Sequence, residues 1–114
     1  MLLQQDRDAF FAADPRLTEP ARSVVIENDP GRRATSAPIL VVQGTADVVV
    51  VPARTDALLD KLCALGAVVD LELLPGAGHD NAAVRASEGS IVPWLAARFA
   101  GEDAPSVCAA GVAP

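Results

Sequence analysis

Between Pro38 and Leu74 the chain passes through an apolar strand, an amphipathic helix and a second strand, an order that leaves few folds open. Ile39-Leu-Val-Val42 is an unbroken aliphatic run of strand length. Such a run suits a parallel strand covered on both faces better than one half exposed to water. Pro52 offers a helix start, Leu58, Leu59, Leu62 and Leu65 recur at helical spacing, and Gly66 stands where a left-handed C-terminal cap belongs. Asp56, Asp60 and Lys61 fall on the opposite, solvated face. From Val68 to Leu74 the pattern alternates, with Val69, Leu71 and Leu73 on one side and Asp70 and Glu72 on the other. That alternation predicts a strand near a sheet edge, wet on one face. Strand, helix and strand in about 35 residues make a βαβ unit with a right-handed crossover.

The flanks are less periodic. Residues 1–20 carry a mixed helical pattern (Leu3, Phe10, Phe11, Leu17) broken at Pro15 and Pro20. Ala21 to Ile26 reads as a short helix or turn with an apolar patch at Val24, Val25 and Ile26, and Asn28 to Ser36 as a loop. Residues 1–37 lack a periodic core of their own and are expected to pack on something else. Residues 82–100 read as helical, with Ile91, Leu95 and Phe99 at i, i+4 and i+8 and Trp94 beside them. Pro93 either kinks this segment or sits in the first turn of a helix capped by Ser90. Residues 102–114, rich in Ala, Gly and Pro, are expected to form a flexible tail. There is no internal repeat.

With 114 residues, 51% of them hydrophobic, the composition is that of one small globular domain. A net charge of −6 without a basic stripe excludes a nucleic-acid surface or an anionic membrane patch. No apolar run approaches the roughly 18 residues that span a bilayer. The start, Met-Leu-Leu-Gln-Gln-Asp-Arg-Asp, lacks the basic stretch and apolar core of a secretion signal; if a parent protein is exported, its signal is expected upstream. Cys63 and Cys108 lie 45 positions apart. Spacing alone is equally compatible with a bridge, suited to an oxidising compartment, and with two separate thiols.

The chemistry gathers in two loops. In an open parallel sheet, functional groups collect at the carboxyl ends of the strands. Asp47 follows the first strand in Gly44-x-x-Asp47, and His79, the one histidine, follows the second in Pro75-Gly-Ala-Gly-His79. Adjacent strands lie about 4.8 Å apart, so short loops bring carboxylate and imidazole within hydrogen-bond reach. The carboxylate then fixes the ring's tautomer and stabilises the imidazolium formed when it takes a serine proton. Gly44, Gly76 and Gly78 are expected to permit the sharp turns this needs. Taken singly, Asp47 reads as an ordinary turn aspartate and His79 as a surface histidine. Their placement after both strands of one βαβ unit, acid before histidine, favours the catalytic reading, because α/β-hydrolases carry the two in that order. One histidine without a neighbouring cysteine or carboxylate cluster leaves too few ligands for a metal. The Gly-Ala-Gly at 76–78 is an incomplete phosphate-binding fingerprint, and no cofactor is expected.

Several stretches resemble the C-terminal part of α/β-hydrolases, most closely the secretory lipase group. They are Asn28-Asp-Pro-Gly31, Pro38 to Asp47 with Val51-Pro52, Leu62-Cys-Ala-Leu-Gly66, Pro75 to His79, Trp94 to Gly101 and Pro105-Ser-Val-Cys108. The resemblance implies an α/β fold: a partial α/β-hydrolase, its C-terminal βαβ unit of a parallel sheet plus flanking helices. Residues 1–37 would end a lid or cap region, 38–101 would form the hydrolase portion and 102–114 the tail. By the same resemblance Asp47 is the triad acid, His79 the base, Cys63 and Cys108 a bridged pair, and the parent protein secreted or in the cell envelope.

The nucleophile is missing. Serines stand at 23, 36, 87, 90 and 106, none within Gly-x-Ser-x-Gly. The oxyanion donors of this fold come from the residue after the nucleophile and from an early loop, both outside this chain. The expectation is therefore a C-terminal fragment of a serine ester hydrolase, inert alone, that acts on acyl esters or lipids once an N-terminal half completes it. Peptidase or thioesterase chemistry fits the same residues. The alternative is a non-catalytic α/β module that dimerises or completes a partner's sheet. Two parallel strands are too few for an independently stable sheet, so a homodimer or a poorly stable monomer is expected.

Overall fold

The computed structural model describes residues 12–108. It is a mixed α/β arrangement in the order α1 (Ala21–Glu27), β1 (Ile39–Gly44), α2 (Pro52–Ala64), β2 (Val69–Leu74), α3 (His79–Gly89) and α4 (Ile91–Phe99). The strands β1 and β2 pair in parallel, in register from Ile39↔Val69 to Gly44↔Leu74, with α2 as the crossover. Pro52 opens α2, as its fixed φ and missing N–H allow. The helix ends in a Schellman motif: Gly66 takes φ +74°, its N–H donates to the Cys63 carbonyl (2.9 Å), and the Ala67 N–H donates to that of Leu62 (3.1 Å).

The core lies between the sheet and α2. Leu62, Ala67 and the fully buried Val69 form its centre, with Ile39, Val41, Leu58, Leu59 and Cys108 packed around them. Burying a valine such as Val69 contributes about 2 kcal/mol. On the other face α3 packs against β1, and Trp94 of α4 donates its indole N–H to Asp70 Oδ2 at 2.9 Å. The Arg98 guanidinium lies 4.9 Å from the centre of the Trp94 ring.

The structure corrects some of these expectations and decides between others. The Asp70–Glu72 side of β2 is not its wet face: Trp94 covers Asp70, and Glu72 Oε2 is buried without a partner among the described residues. Leu73, placed by alternation on the apolar side, is 54% exposed, because α2 covers only the start of β2. Of the two alternatives for Pro93 the second holds: the stretch at 82–100 is two helices that break at Ser90, and Pro93 stands in the first turn of α4, where the lack of an N–H costs nothing. On α4, Leu95 and Phe99, which share its apolar spacing with Ile91, face solvent, Phe99 at 92%. The expected tail is fastened as far as Cys108. Val107 donates its N–H to the Val69 carbonyl (2.7 Å), the Val69 N–H reaches Ser106 Oγ (3.3 Å), and Cys108 is bonded to Cys63. Leu3, Phe10, Phe11 and the last six positions of the tail lie outside the described residues.

These contacts leave the sheet asymmetric. Residues 106–107 cover the outer edge of β2. In β1, Ile39 and Thr45 donate to β2. By the alternation of a parallel ladder the backbone groups of Leu40 and Val42 therefore point to the other edge, where no strand pairs with them among the described residues.

Candidate active site

Asp47 and His79, expected to meet at one sheet edge, do meet there. Asp47 Oδ2 and His79 Nδ1 are 2.9 Å apart. The loop after β1 carries the acid, and β1's parallel pairing with β2 brings the loop 75–78 alongside it. The two loops are stitched together: Ala46 N–H donates to the Ala77 carbonyl (3.1 Å), Gly76 N–H to Thr45 Oγ1 (2.8 Å), and Thr45 N–H to the Leu74 carbonyl (3.1 Å). Of the three glycines expected to shape these turns, Gly76 alone uses the left-handed region (φ +68°). Gly44 closes β1, and Gly78 is the extended N-cap of α3, whose first residue is His79.

The carboxylate is held on both oxygens. Oδ2 faces the imidazole, and Oδ1 accepts the N–H groups of Val49 and Val50, both at 2.9 Å. The Asp47 side chain is 6% exposed, while that of His79 is 49% exposed. Burial pushes the Asp47 carboxyl up, but the His79 ring and the Val50 and Val49 amides outweigh it and hold the group below the usual carboxylate range. His79 is displaced upward, chiefly by its hydrogen bond to Asp47 and that residue's charge; burial opposes this, and Asp80 adds to it. The N-terminal end of α3 disfavours a cation at its first residue, so the nearby carboxylate wins over the helix dipole.

An ionised carboxylate only accepts hydrogen bonds, so when the ring is neutral it selects the tautomer with the proton on Nδ1. Nε2 is left as an acceptor, without a partner among the described residues, on a half-exposed ring. That ring borders a depression of about 490 Å³ lined by Leu40, Val42, Thr55, Ala86 and Ile91 among others. The depression wraps the unpaired edge of β1, because residues from both faces of the strand line it. The arrangement can take a proton from a hydroxyl placed in the depression and return it to a leaving group.

Among the described side chains no serine hydroxyl bonds to His79: Ser23 pairs with Glu19, Ser90 with the Ala86 carbonyl, and Ser106 lies at the far edge of β2. No group of three or more His, Cys, Asp or Glu suited to a metal occurs among the described residues, and no helix there is long and apolar enough to cross a membrane.

Two residues of the site were not singled out from the sequence, Gln43 and Thr55. Gln43 interrupts an aliphatic strand one residue before Gly44, and both are buried and bonded to each other. A polar residue closing an apolar run demands a buried partner, which was the available signal. Compared with protein-family models, with curated proteins and with solved structures, the chain finds no match.

Proposed function

We propose that this chain is the acid–base portion of a serine ester hydrolase with a partial α/β-hydrolase fold, similar to secretory lipases and inert alone. It acts on acyl esters or lipids once a polypeptide bearing Gly-x-Ser-x-Gly supplies the nucleophile. The observation that carries this reading is the 2.9 Å contact between buried Asp47 and half-exposed His79, with Asp47 Oδ1 held by two backbone N–H groups. In the completed site His79 Nε2 takes the serine proton as Oγ attacks the ester carbonyl, Asp47 stabilises the imidazolium, and the proton passes to the departing alkoxide. Water then repeats the sequence on the acyl-enzyme. The open edge of β1 and the depression along it are where the completing half would sit. The Cys63–Cys108 bridge suits an exported parent protein.

The test is co-expression with the N-terminal portion of a secretory lipase that includes its nucleophile elbow, assayed on p-nitrophenyl butyrate. Hydrolysis is expected only from the pair. Asp47→Asn should lower turnover by about 10⁴, and His79→Ala by about 10⁶. An assembled pair that does not hydrolyse the ester, or hydrolysis indifferent to both substitutions, counts against the reading. Parallel assays on a p-nitroanilide and a thioester separate peptidase and thioesterase chemistry.

One observation favours the second reading, a non-catalytic module that dimerises or completes a partner's sheet. The β-prone run Val48 to Val51 is exposed beside the unpaired edge of β1. In that case neither substitution disturbs assembly, and no pairing yields hydrolysis.

A further inference from the structure

Gln43 stands near the carboxyl end of β1, 4% exposed, and its amide is fully engaged. Nε2 donates to the Gly44 carbonyl at 2.8 Å and to the Val50 carbonyl at 3.1 Å, while Oε1 accepts the hydroxyl of Thr55 from α2. Those two carbonyls are the two ends of the loop that carries Asp47. We propose that Gln43 is a positioning residue for the Asp47–His79 pair, one amide nitrogen clamping both ends of the acid loop. The clamp works through Val50, whose carbonyl Gln43 holds and whose N–H, with that of Val49, binds Asp47 Oδ1.

The network admits a single orientation of the amide. Rotated by half a turn, Oε1 would face two carbonyl oxygens and both loop bonds would be lost. Thr55 anchors the other end of the amide: its hydroxyl donates to Oε1 and is itself buried. Bonds from Ala46 and Thr45 to the base loop tie down the first half of the acid loop. The second half, residues 48–50, has Gln43 and the Asp47 carboxylate as its anchors. Its valines are otherwise exposed, so packing does not hold it. The role assigned to Gln43 rests on Asp47 and His79 being the working acid–base pair.

The experiment is a proton NMR titration of the chain's one histidine. The charges acting on the ring are Asp47 from the loop after β1 and Asp80 from α3, so a displaced Asp47 is read directly in the His79 midpoint. Gln43→Met keeps the length and apolar volume of the side chain but removes every amide bond. The expected result is a downward shift of the His79 midpoint toward that of a free histidine, with faster amide exchange at Val49 and Val50. Val41→Ala, a core change on the same strand, is expected to lower thermal stability and leave the His79 midpoint where it was. An unmoved midpoint in Gln43→Met, or an equal shift in Val41→Ala, overturns the assignment. Should Gln43→Met fail to fold, Thr55→Val removes only the hydroxyl that anchors the amide oxygen. It is expected to give a smaller shift in the same direction, and unchanged titration and exchange in it overturn the assignment equally. Both readouts are taken on this chain alone, so a failure to reconstitute hydrolysis bears on the hydrolase reading and not on Gln43.

Discussion

Reducing the Cys63–Cys108 bridge should cost this protein a large part of its stability. The bridge closes a loop of 45 residues. In the chain-entropy model a loop of that length restricts the unfolded ensemble by about 4 kcal/mol. Ordinary stabilities of about 0.05–0.15 kcal/mol per residue allow a chain of this size roughly 6–17 kcal/mol. The two-stranded sheet places this protein at the low end of that range, so the loss is most of the margin. The bridge also presses residues 106–107 against the outer edge of β2, and reduction frees that edge. The assay is urea unfolding followed by the fluorescence of the single tryptophan, with Cys63→Ser/Cys108→Ser beside the oxidised chain at equal protein concentration. Trp94 reports from the opposite face of the sheet, through its bond to Asp70, so a change there is global rather than local to the bridge. With an m-value of about 1.6 kcal/mol/M, the urea midpoint falls by about 2.5 M. Ser106→Ala, which removes one edge contact and keeps the bridge, should cost about 1 kcal/mol. A bridge whose loss moves the midpoint by less than about 0.5 M would refute the entropic argument.

Two further outcomes follow from the site and the sheet. His79, displaced upward in the folded state, contributes stability that is complete below its unfolded value of about 6.5 and is lost as pH rises through the folded one. Asp47, displaced downward, contributes stability that is complete above about 3.9 and is lost as pH falls through its folded value. The pair is therefore worth most between about pH 4 and 6.5. Urea midpoints of the unsubstituted chain and Asp47→Asn should differ most in that window, and the His79 midpoint should fall in Asp47→Asn; coincident titrations would sink the coupling. Separately, sedimentation equilibrium should find self-association, because the edge of β1 is unpaired among the described residues and the run Val48 to Val51 is exposed. Val42→Lys at that edge should return the chain to monomer, and a sharp two-state melt of a monomeric unsubstituted chain counts against the expectation.

The legible parts of the fold were those whose cause is local. Pro52, the leucine spacing and Gly66 bound α2 by dihedral and capping preferences that few neighbours can override. The run Ile39 to Val42 marks β1 because aliphatic residues on both sides of a strand need cover on both. Elsewhere the outcome depends on a neighbour that the local pattern does not specify. Asp70 and Glu72 have the polarity of a wet face, but Trp94 arrives from 24 residues away with a donor for one of them. Ile91, Leu95 and Phe99 have the spacing of a buried stripe, yet the described chain offers no surface to cover Phe99. Spacing specifies which residues share a face and is silent on what lies opposite.

The same distinction explains what was legible in the site. Asp47 and His79 are conspicuous because each follows a strand end, and parallel pairing in register is enough to bring those ends together. Gln43 and Thr55 are 12 residues apart on different elements, and their meeting depends on how α2 lies across β1, which periodicity does not encode. The acid and the base are thus placed by topology, while the conformation of the loop between them is held by tertiary contacts. A chain of this length can therefore hold an ordered Asp–His pair on two strands alone. The pair needs two strands and one crossover, whereas the serine and oxyanion hole of an α/β-hydrolase need further strands beyond β1. Under the proposed function those strands would add beside Leu40 and Val42, whose backbone no strand pairs with among the described residues, and the depression lined by Leu40, Val42 and His79 runs from there to the ring.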